Sequence, residues 1–292
     1  MQNHPKKAIC FGEILWDNLP SGRLAGGAPM NVAYHLQKLG VSTSLISRVG
    51  DDEAGRTLID FIASIEIPAE NIQVDPLQST SEVIAELKEN NEMVYTITYP
   101  TAWDYIAWQS DFKTKIAETD AFIFGSLSAR NEVSRATLLQ LLEHAKFKVF
   151  DVNLRAPYYD KDTIATFLSK ADFVKLNENE IVMLGNWFTE QHAEQNVVTA
   201  LMEKFQLSEI LITKGAEGGT YYHANQSINY QAEKVAVVDT VGSGDSFLAA
   251  FLSKKLAGEK IEDCLNFAAK VAGFVTSQKG ACPSYDVADL KF

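Results

Sequence analysis

The segment VDTVGSGDSF, residues 238–247, combines a glycine-flanked turn with two carboxylates. Gly242 and Gly244 can adopt backbone angles closed to other residues, so successive N–H groups there can point at one spot. The apolar pattern of SGDSFLAAFLSKKL predicts a helix after the turn, and the positive end of that helix favours an anion. If the anion is a phosphoryl group in transfer, Asp245 can accept a proton from the attacking hydroxyl. Taken alone, such a segment is more often an ordinary capped helix.

A second candidate site lies in GRLAGGAPMNVAYHLQKLG, which also leads into a predicted helix. Gly26 and Gly27 would let the backbone approach a ligand, and Asn31 opens the helix with a side chain that both donates and accepts hydrogen bonds. Asp17, after the first predicted strand, adds an acceptor pair suited to vicinal hydroxyls. These contacts suit a sugar, although a glycine turn and a capping asparagine would explain each residue taken singly.

Other common catalytic patterns are absent from the sequence. It contains no G-x-x-x-x-G-K-[ST] or G-x-G-x-x-G nucleotide loop, no H-E-x-x-H and no G-x-S-x-G. Its five histidines are scattered without ligand or triad spacing, and its three cysteines lack metal spacing. The two glycine segments are therefore the places where the sequence predicts chemistry.

Near-continuous apolar runs alternate with helical patterns along the chain, and a further apolar strand is expected to run into Asp239. The other strand-like runs are AICFGEILW, STSLISRVG, DAFIFGSL, FKVFDVNL, DFVKLNE and EILITKGAEGGTYYH. Helices are expected near 31–39, 53–64, 134–145 and 161–170. This alternation predicts an α/β fold with a mostly parallel sheet covered by helices on both faces.

One segment departs from this alternation. SEVIAELKENNEMVYTITY, within 81–99, alternates apolar and polar residues on both sides of ENNE, which predicts a hairpin. The pattern fits an edge extension of the sheet as well as a separate flap over a site. No linker divides the chain, so we expect one domain spanning residues 1–292 with a small appendage.

The composition limits the partners and the compartment. The formal charge of −12 argues against nucleic-acid binding, which depends on a basic surface. It leaves room for an anionic small ligand, because backbone amides and a metal can hold phosphate locally. No apolar run is long enough to span a bilayer, and Glu13 interrupts the short apolar segment near the N-terminus. We therefore expect a cytoplasmic protein with no membrane contact and with reduced thiols.

GGAPMNVAYHLQKLG and DTVGSGDSF resemble the N-terminal and C-terminal signatures of the PfkB/ribokinase family of carbohydrate kinases. Their order and spacing fit one kinase domain, and further matches extend the resemblance over essentially the whole chain. FGEILWDNLPSG, GGAP and DVNLR are most similar to bacterial fructokinases. The resemblance implies a ribokinase-like three-layer α/β/α fold with a small β lid, and it makes the hairpin at about 81–99 the lid over the sugar.

The resemblance also implies roles for the residues that match these signatures. Asp245 matches the catalytic base. The backbone amides that match the anion hole for the transferred phosphoryl group are those of Gly242, Ser243 and Gly244. The residues that match substrate contacts are Asp17, Gly26, Gly27, Asn31 and, in DVNLR, Arg155.

Three further segments resemble the nucleotide and cation sites of the family. NENE is similar to an N-x-x-E motif that organises magnesium and phosphate, which implies that Asn177 lies near the nucleotide and Glu180 near Mg²⁺. TKGAEGG matches a nucleotide segment, and the implied ATP contacts are Thr213, Gly215 and Gly218. KGACPS resembles a tail that binds a monovalent cation, and the implied K⁺ site consists of Asp239, Val241, Gly280 and Ser284.

The activity implied by the resemblance is ATP-dependent phosphorylation of a sugar, with fructose converted to fructose 6-phosphate. A 2-keto-3-deoxygluconate kinase, a ribokinase and a nucleoside kinase of the same family are alternatives, as is an inactive sugar- or nucleotide-binding regulator. The intact GSGD with Asp245 argues against the inactive regulator, because a dead copy has no need for the base. The sequence leaves the oligomeric state, including a homodimer, open.

Overall fold

The computed structural model describes residues 5–19, 22–87, 93–224 and 226–290. The strands are β1 (Lys7–Phe11), β2 (Leu15–Leu19), β3 (Gly22–Gly26), β4 (Ser42–Gly50), β5 (Ile72–Asp75), β6 (Ser81–Leu87), β7 (Met93–Ile97), β8 (Ala121–Gly125), β9 (Lys148–Asp151), β10 (Phe173–Asn177), β11 (Glu209–Thr213), β12 (Gly219–His223) and β13 (Gln226–Tyr230). The helices are α1 (Ala28–Lys38), α2 (Glu53–Ser64), α3 (Phe112–Ala117), α4 (Glu132–Leu142), α5 (Lys161–Leu168), α6 (Glu178–Phe188), α7 (Glu194–Phe205), α8 (Ser243–Leu256) and α9 (Ile261–Thr276).

The larger sheet has nine strands in the order β13-β12-β11-β10-β9-β8-β1-β4-β5. The pairs from β11 to β5 are parallel, whereas β12 and β13 are added antiparallel at one edge. Because strands β8 to β11 are buried along nearly their whole length, they appear in the sequence as near-continuous apolar runs. The carboxyl ends of the parallel strands meet at one edge of the sheet, where open α/β proteins bind ligands.

Two apolar cores lie on opposite faces of this sheet. One contains buried residues of α1, α2, α8 and α9, including Leu36, Leu58, Phe251 and Ala268. The other contains buried residues of α3 to α7, including Phe112, Leu138, Phe167, Leu184 and Leu201. The α/β prediction with helices on both faces is thus confirmed. No helix within the described ranges is long and apolar enough to cross a membrane.

The smaller sheet has four strands in the order β3-β2-β6-β7. Strands β6 and β7 pair antiparallel, as the hairpin prediction required, and they form part of a separate sheet rather than an edge of the larger one. The predicted turn ENNE, residues 89–92, lies outside the described residues. Unlike the prediction from sequence, β2 and β3 complete this sheet, and β2 pairs parallel with β6.

The expectation of one strand over AICFGEILW was therefore wrong. The run divides at Gly12, whose φ of 143° turns the chain out of β1, so that β1 belongs to the larger sheet and β2 to the smaller one. Apolar composition alone did not reveal the break, because Ile14 and Leu15 are buried on the far side of it.

The strand expected to run into Asp239 is also absent from the described chain, where residues 231–240 form no strand. The amides of Val238 and Asp239 instead donate to the carbonyl of Thr276, at 2.9 and 3.2 Å. Val237 and Val238 are about two thirds exposed (66% and 63%), so their apolar run reflects an open surface and not a buried strand. The glycine turn at 242 is thus reached by an irregular crossing over the end of α9.

Candidate active site

The turn before α8 has the geometry that its glycines predict. Gly242 has φ 76°, and a Cβ there would collide with Ala281, so this position requires glycine. The helix begins at Ser243, which leaves the first backbone N–H groups of α8 without partners inside the helix. These N–H groups and the positive end of the helix can together bind an anion at the turn.

Asp245 lies in the first turn of α8 and contacts the N-terminal segment directly. Asn31 Nδ2 donates to Asp245 Oδ2 at 2.8 Å, which joins residues 214 positions apart in the chain. Asn31 is 5% exposed and does not open its helix as expected, because α1 begins at Ala28 with Gly27 as its N-cap. The two segments singled out in the sequence therefore meet at this hydrogen bond.

The surroundings of Asp245 favour its protonated form more than water does. Burial and then the negative charge of Asp151 raise the pKa of Asp245, while Lys175, the Asn31 hydrogen bond and Arg155 oppose the rise. A raised pKa makes a carboxylate bind a proton more readily, which suits it to accepting one. The site is therefore compatible with a general base at residue 245.

Lys175 and Asp151 form a buried ion pair next to this carboxyl group. Lys175 Nζ donates to Oδ1 and Oδ2 of Asp151, both at 2.9 Å. A Cβ on Gly244 would lie 3.3 Å from Lys175 Nζ, so the ammonium group lies against the turn. Neither residue was among those predicted to form the site.

Asp17 and Gly26 lie together in the smaller sheet. Asp17 lies within β2, opposite Leu24 of β3 and Val83 of β6, and not after a strand of the larger sheet as expected. A Cβ on Gly26 would collide with Asp17 Oδ2, so the absence of a side chain at 26 leaves room for this carboxylate. Burial raises the pKa of Asp17 to about 6. A half-buried carboxylate at this position can accept hydrogen bonds from hydroxyl groups.

Arg155 and Glu13 complete the charges around Asp245. Arg155 is exposed in the loop after β9, and its positive charge lowers the pKa of both Glu13 and Asp245. Glu13 lies in the link between β1 and β2, is 3% exposed, and has an Oε2 atom without a hydrogen-bond partner in the described structure. Burial is the main cause that raises the pKa of Glu13 to about 7.

The predicted nucleotide residues follow β10 and β11 at the same edge of the sheet. Asn177 caps α6 by accepting from the amides of Asn179 and Glu180, both at 2.9 Å. Asn177 is paired in register with Thr213, the last residue of β11. Gly215 and Gly218, with φ 53° and 84°, bracket the tight turn between β11 and β12. Lys214, between Thr213 and Gly215, is paired with Glu194 at 2.8 Å.

Glu180 has a structural role that bears on magnesium. Its Oε1 accepts from the amide of Leu154 and its Oε2 from the amide of Asn177, both at 2.8 Å. Burial and the negative charge of Asp151 raise the pKa of Glu180. No group of three or more histidine, cysteine or acidic side chains in the described chain is arranged to hold a metal ion. A divalent cation that arrives with a polyphosphate would relieve the repulsion between Glu180 and Asp151. These two carboxylates therefore fit such a cation.

Asp239 joins the turn before α8 to the C-terminal tail. Its Oδ1 accepts from the amide of Val241 and its Oδ2 from the amide of Gly280, both at 3.0 Å. Three of the four residues predicted to hold a monovalent cation are thus in contact, while Ser284 is exposed further along the tail. The carboxylate and the nearby backbone carbonyls are oxygen donors of the kind that K⁺ accepts.

Three charged residues of the site were not predicted from the sequence. The signal that could have identified them is a charge within or at the end of an apolar strand. Lys175 interrupts FVKLN, Asp151 ends KVFD, and Glu13 interrupts FGEILW. Buried ionisable groups are costly unless they are paired or functional, so each of these breaks in pattern indicates a specific partner or a role. The pairing partners themselves are brought together only by the register of the folded sheet.

Comparisons with known proteins agree with this geometry. The profile described as "pfkB family carbohydrate kinase" matches residues 22–288. The chain is 30% identical to "Probable fructokinase-6, chloroplastic" of Arabidopsis thaliana, over 94% of this chain and 79% of the relative. It is 29% identical to "Fructokinase" of Klebsiella pneumoniae, over 89% of this chain and 87% of the relative. A crystal structure of fructokinase from Vibrio cholerae O395 in "fructose, ADP and calcium ion bound form" superimposes with a TM-score of 0.83 at 25% identity, covering 98% and 97% of the two chains. This protein belongs to the pfkB family of carbohydrate kinases.

Proposed function

We propose that this kinase transfers the γ-phosphoryl group of ATP to O6 of fructose. The observation that carries the proposal is the buried carboxylate of Asp245, held by Asn31 at the start of α8 beside the first backbone amides of that helix, which lack partners within the helix. The names of the relatives from Arabidopsis thaliana and Klebsiella pneumoniae and the fructose in the Vibrio cholerae structure support fructose as the acceptor.

In this proposal Asp245 accepts the proton of the sugar hydroxyl while that oxygen attacks the γ-phosphorus. The amides of Gly242, Ser243 and Gly244 stabilise the charge on the transferred group, and the positive end of α8 adds to their effect. Such transfer depends on position and charge compensation more than on covalent chemistry. The raised pKa of Asp245 makes it a better proton acceptor than an exposed carboxylate.

Sugar recognition is assigned to the residues that join α1 to the smaller sheet. Asp17 accepts from two ring hydroxyls, and Asn31 both donates and accepts. Gly26 and Gly27 let the backbone approach the ring. Arg155 is an exposed cation whose charge lowers the pKa of Asp245, and it would become a direct contact for a carboxylated acceptor.

The proposed cofactors are ATP with Mg²⁺, and K⁺ as a bound monovalent cation. Asn177, Thr213, Gly215 and Gly218 are assigned to the nucleotide. Glu180 is assigned to Mg²⁺, which supplies positive charge to the polyphosphate, and Asp239, Val241, Gly280 and Ser284 are assigned to K⁺. The three free cysteines fit the reducing cytoplasm as the compartment.

We also propose that residues 1–292 act as one kinase domain with the four-stranded sheet as its lid. This lid is larger than the hairpin predicted from sequence, since it includes β2 and β3 and therefore Asp17. A lid that carries a sugar contact would close as the sugar binds. Closure would exclude water, which otherwise competes with the sugar as the nucleophile.

The test is a coupled ADP-release assay on fructose, ribose, 2-keto-3-deoxygluconate and fructose 6-phosphate at equal concentrations. We expect fructose to give the highest kcat/KM, because a site that bonds each hydroxyl rejects analogues that leave its polar groups unpaired. A preference for 2-keto-3-deoxygluconate that is lost in Arg155→Ala would refute fructose as the acceptor. The assignment as a sugar kinase would still hold. No ADP release with any acceptor would favour the inactive regulator.

A further inference from the structure

Lys175 carries a charge into a strand that is otherwise apolar. It lies in β10, which is buried on both faces, and its side chain is 9% exposed. The register of β9 and β10 pairs Lys175 with Asp151, so both side chains leave the same face of the sheet. The ion pair is therefore fixed by the two strands and not by flexible loops.

The ammonium group of Lys175 lies against the turn that begins α8. A Cβ on Gly244 would lie only 3.3 Å from Lys175 Nζ, so no side chain separates the two. The backbone amides of the same turn lack intrahelical partners. A fixed positive charge thus meets the first N–H groups of α8, among which the amide of Ser243 donates outside the helix to the carbonyl of Thr240 at 3.3 Å.

Stability gives no sufficient reason for this ion pair. Replacing a buried ion pair by uncharged residues of similar size is often neutral or stabilising, because both charges lose their hydration on folding. An ammonium group has three donors, and the two described bonds of Lys175 both go to Asp151. The remaining donor is available on the side of the turn.

The neighbouring charges make a cation necessary when a polyphosphate arrives. Burial lowers the pKa of Lys175, but Asp151, Asp245 and Glu180 outweigh this effect and raise it, so the ammonium stays charged. An anionic phosphoryl group at the turn would meet these same three carboxylates. Without Lys175 the repulsion would be opposed by the neutral N–H donors, by the exposed Arg155 and by the Mg²⁺ proposed to accompany the polyphosphate, none of which is fixed by a strand of the sheet.

We propose that Lys175 is a catalytic residue that donates a hydrogen bond to an oxygen of the phosphoryl group in transfer, with Asp151 holding its ammonium at the turn. This inference rests on the proposed kinase function. As the bond from the γ-phosphorus to ADP breaks and the bond to the sugar oxygen forms, the hydroxyl proton passes to Asp245. Lys175 keeps its proton and acts as a fixed charge.

The alternative is that Lys175 serves only to neutralise Asp151. The two explanations differ in what happens when both members of the pair are removed. If Lys175 only neutralises Asp151, then Lys175→Met fails because it leaves a buried carboxylate, and adding Asp151→Asn restores activity. If Lys175 contacts the phosphoryl group, the double variant stays impaired.

The experiment measures kcat for Lys175→Met, Asp151→Asn and the double variant on the acceptor that the wild type uses best. We expect Lys175→Met to lose about 10²–10³-fold, the scale for removal of one transition-state donor. The double variant should remain within about threefold of Lys175→Met, since non-additivity of this kind marks a shared interaction. The matched control is Lys148→Met in β9, whose Nζ is 3.4 Å from Asp172 at the opposite end of the sheet, and it should retain wild-type kcat. Recovery of wild-type kcat in the double variant would overturn the proposal.

A second measurement separates this inference from the proposed function and from misfolding. Binding of Mg-ADP is compared with binding of Mg-ADP plus aluminium fluoride, a phosphoryl mimic, in folded wild type and double variant. We expect the fluoride to tighten binding in the wild type and to lose this effect in the double variant. Equal tightening in both, or none in the wild type, would contradict a role for Lys175. Failure of the wild type to phosphorylate any sugar would refute the proposed function, and the fluoride comparison would still decide the role of the lysine.

Discussion

The Lys175–Asp151 and Arg130–Asp104 ion pairs are both buried but have different surroundings. Arg130 Nε and Nη2 donate to the two carboxylate oxygens of Asp104 at 2.8 Å, and Nη2 also donates to the carbonyl of Thr98 at 2.6 Å. The guanidinium group lies 3.9 to 4.8 Å from the ring centres of three aromatic residues, which are Trp103, Tyr158 and Tyr99. Lys175, in contrast, is bonded to Asp151 and faces the open turn of α8.

The difference shows that burial of an ion pair does not by itself define its role. Arg130 closes the junction where β7 leaves the smaller sheet, because Thr98 directly follows that strand. Tyr158 Oη donates to the carbonyl of Ile97 at 3.0 Å and fixes the same junction. We therefore expect the Arg130 pair to support folding and the Lys175 pair to support the reaction. Parallel measurements of kcat and of unfolding free energy distinguish these two roles.

Asp245→Asn should lower kcat by about 10²–10⁴-fold, the usual scale for loss of a general base. Its thermal midpoint should stay at or above that of the wild type, because the fold disfavours the charged form of Asp245. The measurements are steady-state kinetics, Mg-ATP binding and thermal unfolding. Asp263→Asn is the matched control, since Asp263 is an exposed carboxylate in the first turn of α9 and should not affect kcat. Wild-type turnover in Asp245→Asn would remove this residue from the mechanism.

Arg130→Met should have the opposite effect to Asp245→Asn, with lower stability and a nearly unchanged kcat. Breaking a buried ion pair leaves Asp104 as an uncompensated charge, so the free energy of unfolding should fall by about 3–5 kcal/mol. At a temperature where the variant is folded, kcat should remain near the wild-type value. Urea unfolding with parallel kinetics provides the measurement. The control is Arg135→Met on the partly exposed Arg135, which should change stability by less than about 0.5 kcal/mol. A stable Arg130→Met with impaired kcat would reverse the division proposed here.

The contrast also shows how far sequence predicts the molecule. The parallel sheet, its helical covering and the hairpin strands were predictable, because apolar periodicity reflects burial along each element. The break at Gly12 was not, since apolar residues on both sides of it are buried. The irregular crossing before Asp239 was not either, since an exposed apolar run and a buried one have the same composition. Asp245 and Asn31 were found from glycine-flanked motifs. Lys175 required the strand register, which long-range packing determines and local sequence does not.

Glu13 is a third buried charge and, unlike the other two, has no ion-pair partner in the described structure. Its pKa is raised from its ordinary 4.5 to about 7, so the folded state binds a proton that the unfolded state releases between these values. The contribution of Glu13 to stability should therefore be greatest below pH 4.5 and decrease as the pH rises to about 7. Across pH 5 to 8 the decrease should be about 2–3 kcal/mol, and Glu13→Gln should lack it. Urea unfolding of both proteins at several pH values measures this difference. Parallel pH profiles for the two proteins would contradict the assignment.

The smallest expected effect concerns Asp239, which precedes the turn that Lys175 contacts. Asp239 accepts from the amides of Val241 and Gly280, so it ties the residue before Gly242 to the tail. A bound K⁺ would add a positive charge to this carboxylate and hold the same two segments together, which would order the amides that face the phosphoryl group. Activity should therefore rise severalfold when K⁺ replaces Na⁺ or tetramethylammonium at constant ionic strength. Because an ionic-strength effect would act on any variant, Asp239→Asn should lose the response to K⁺ while still being active. An enzyme indifferent to the cation would mean that Asp239 alone orders the turn, and the charge that matters at this end of α8 would then come from Lys175.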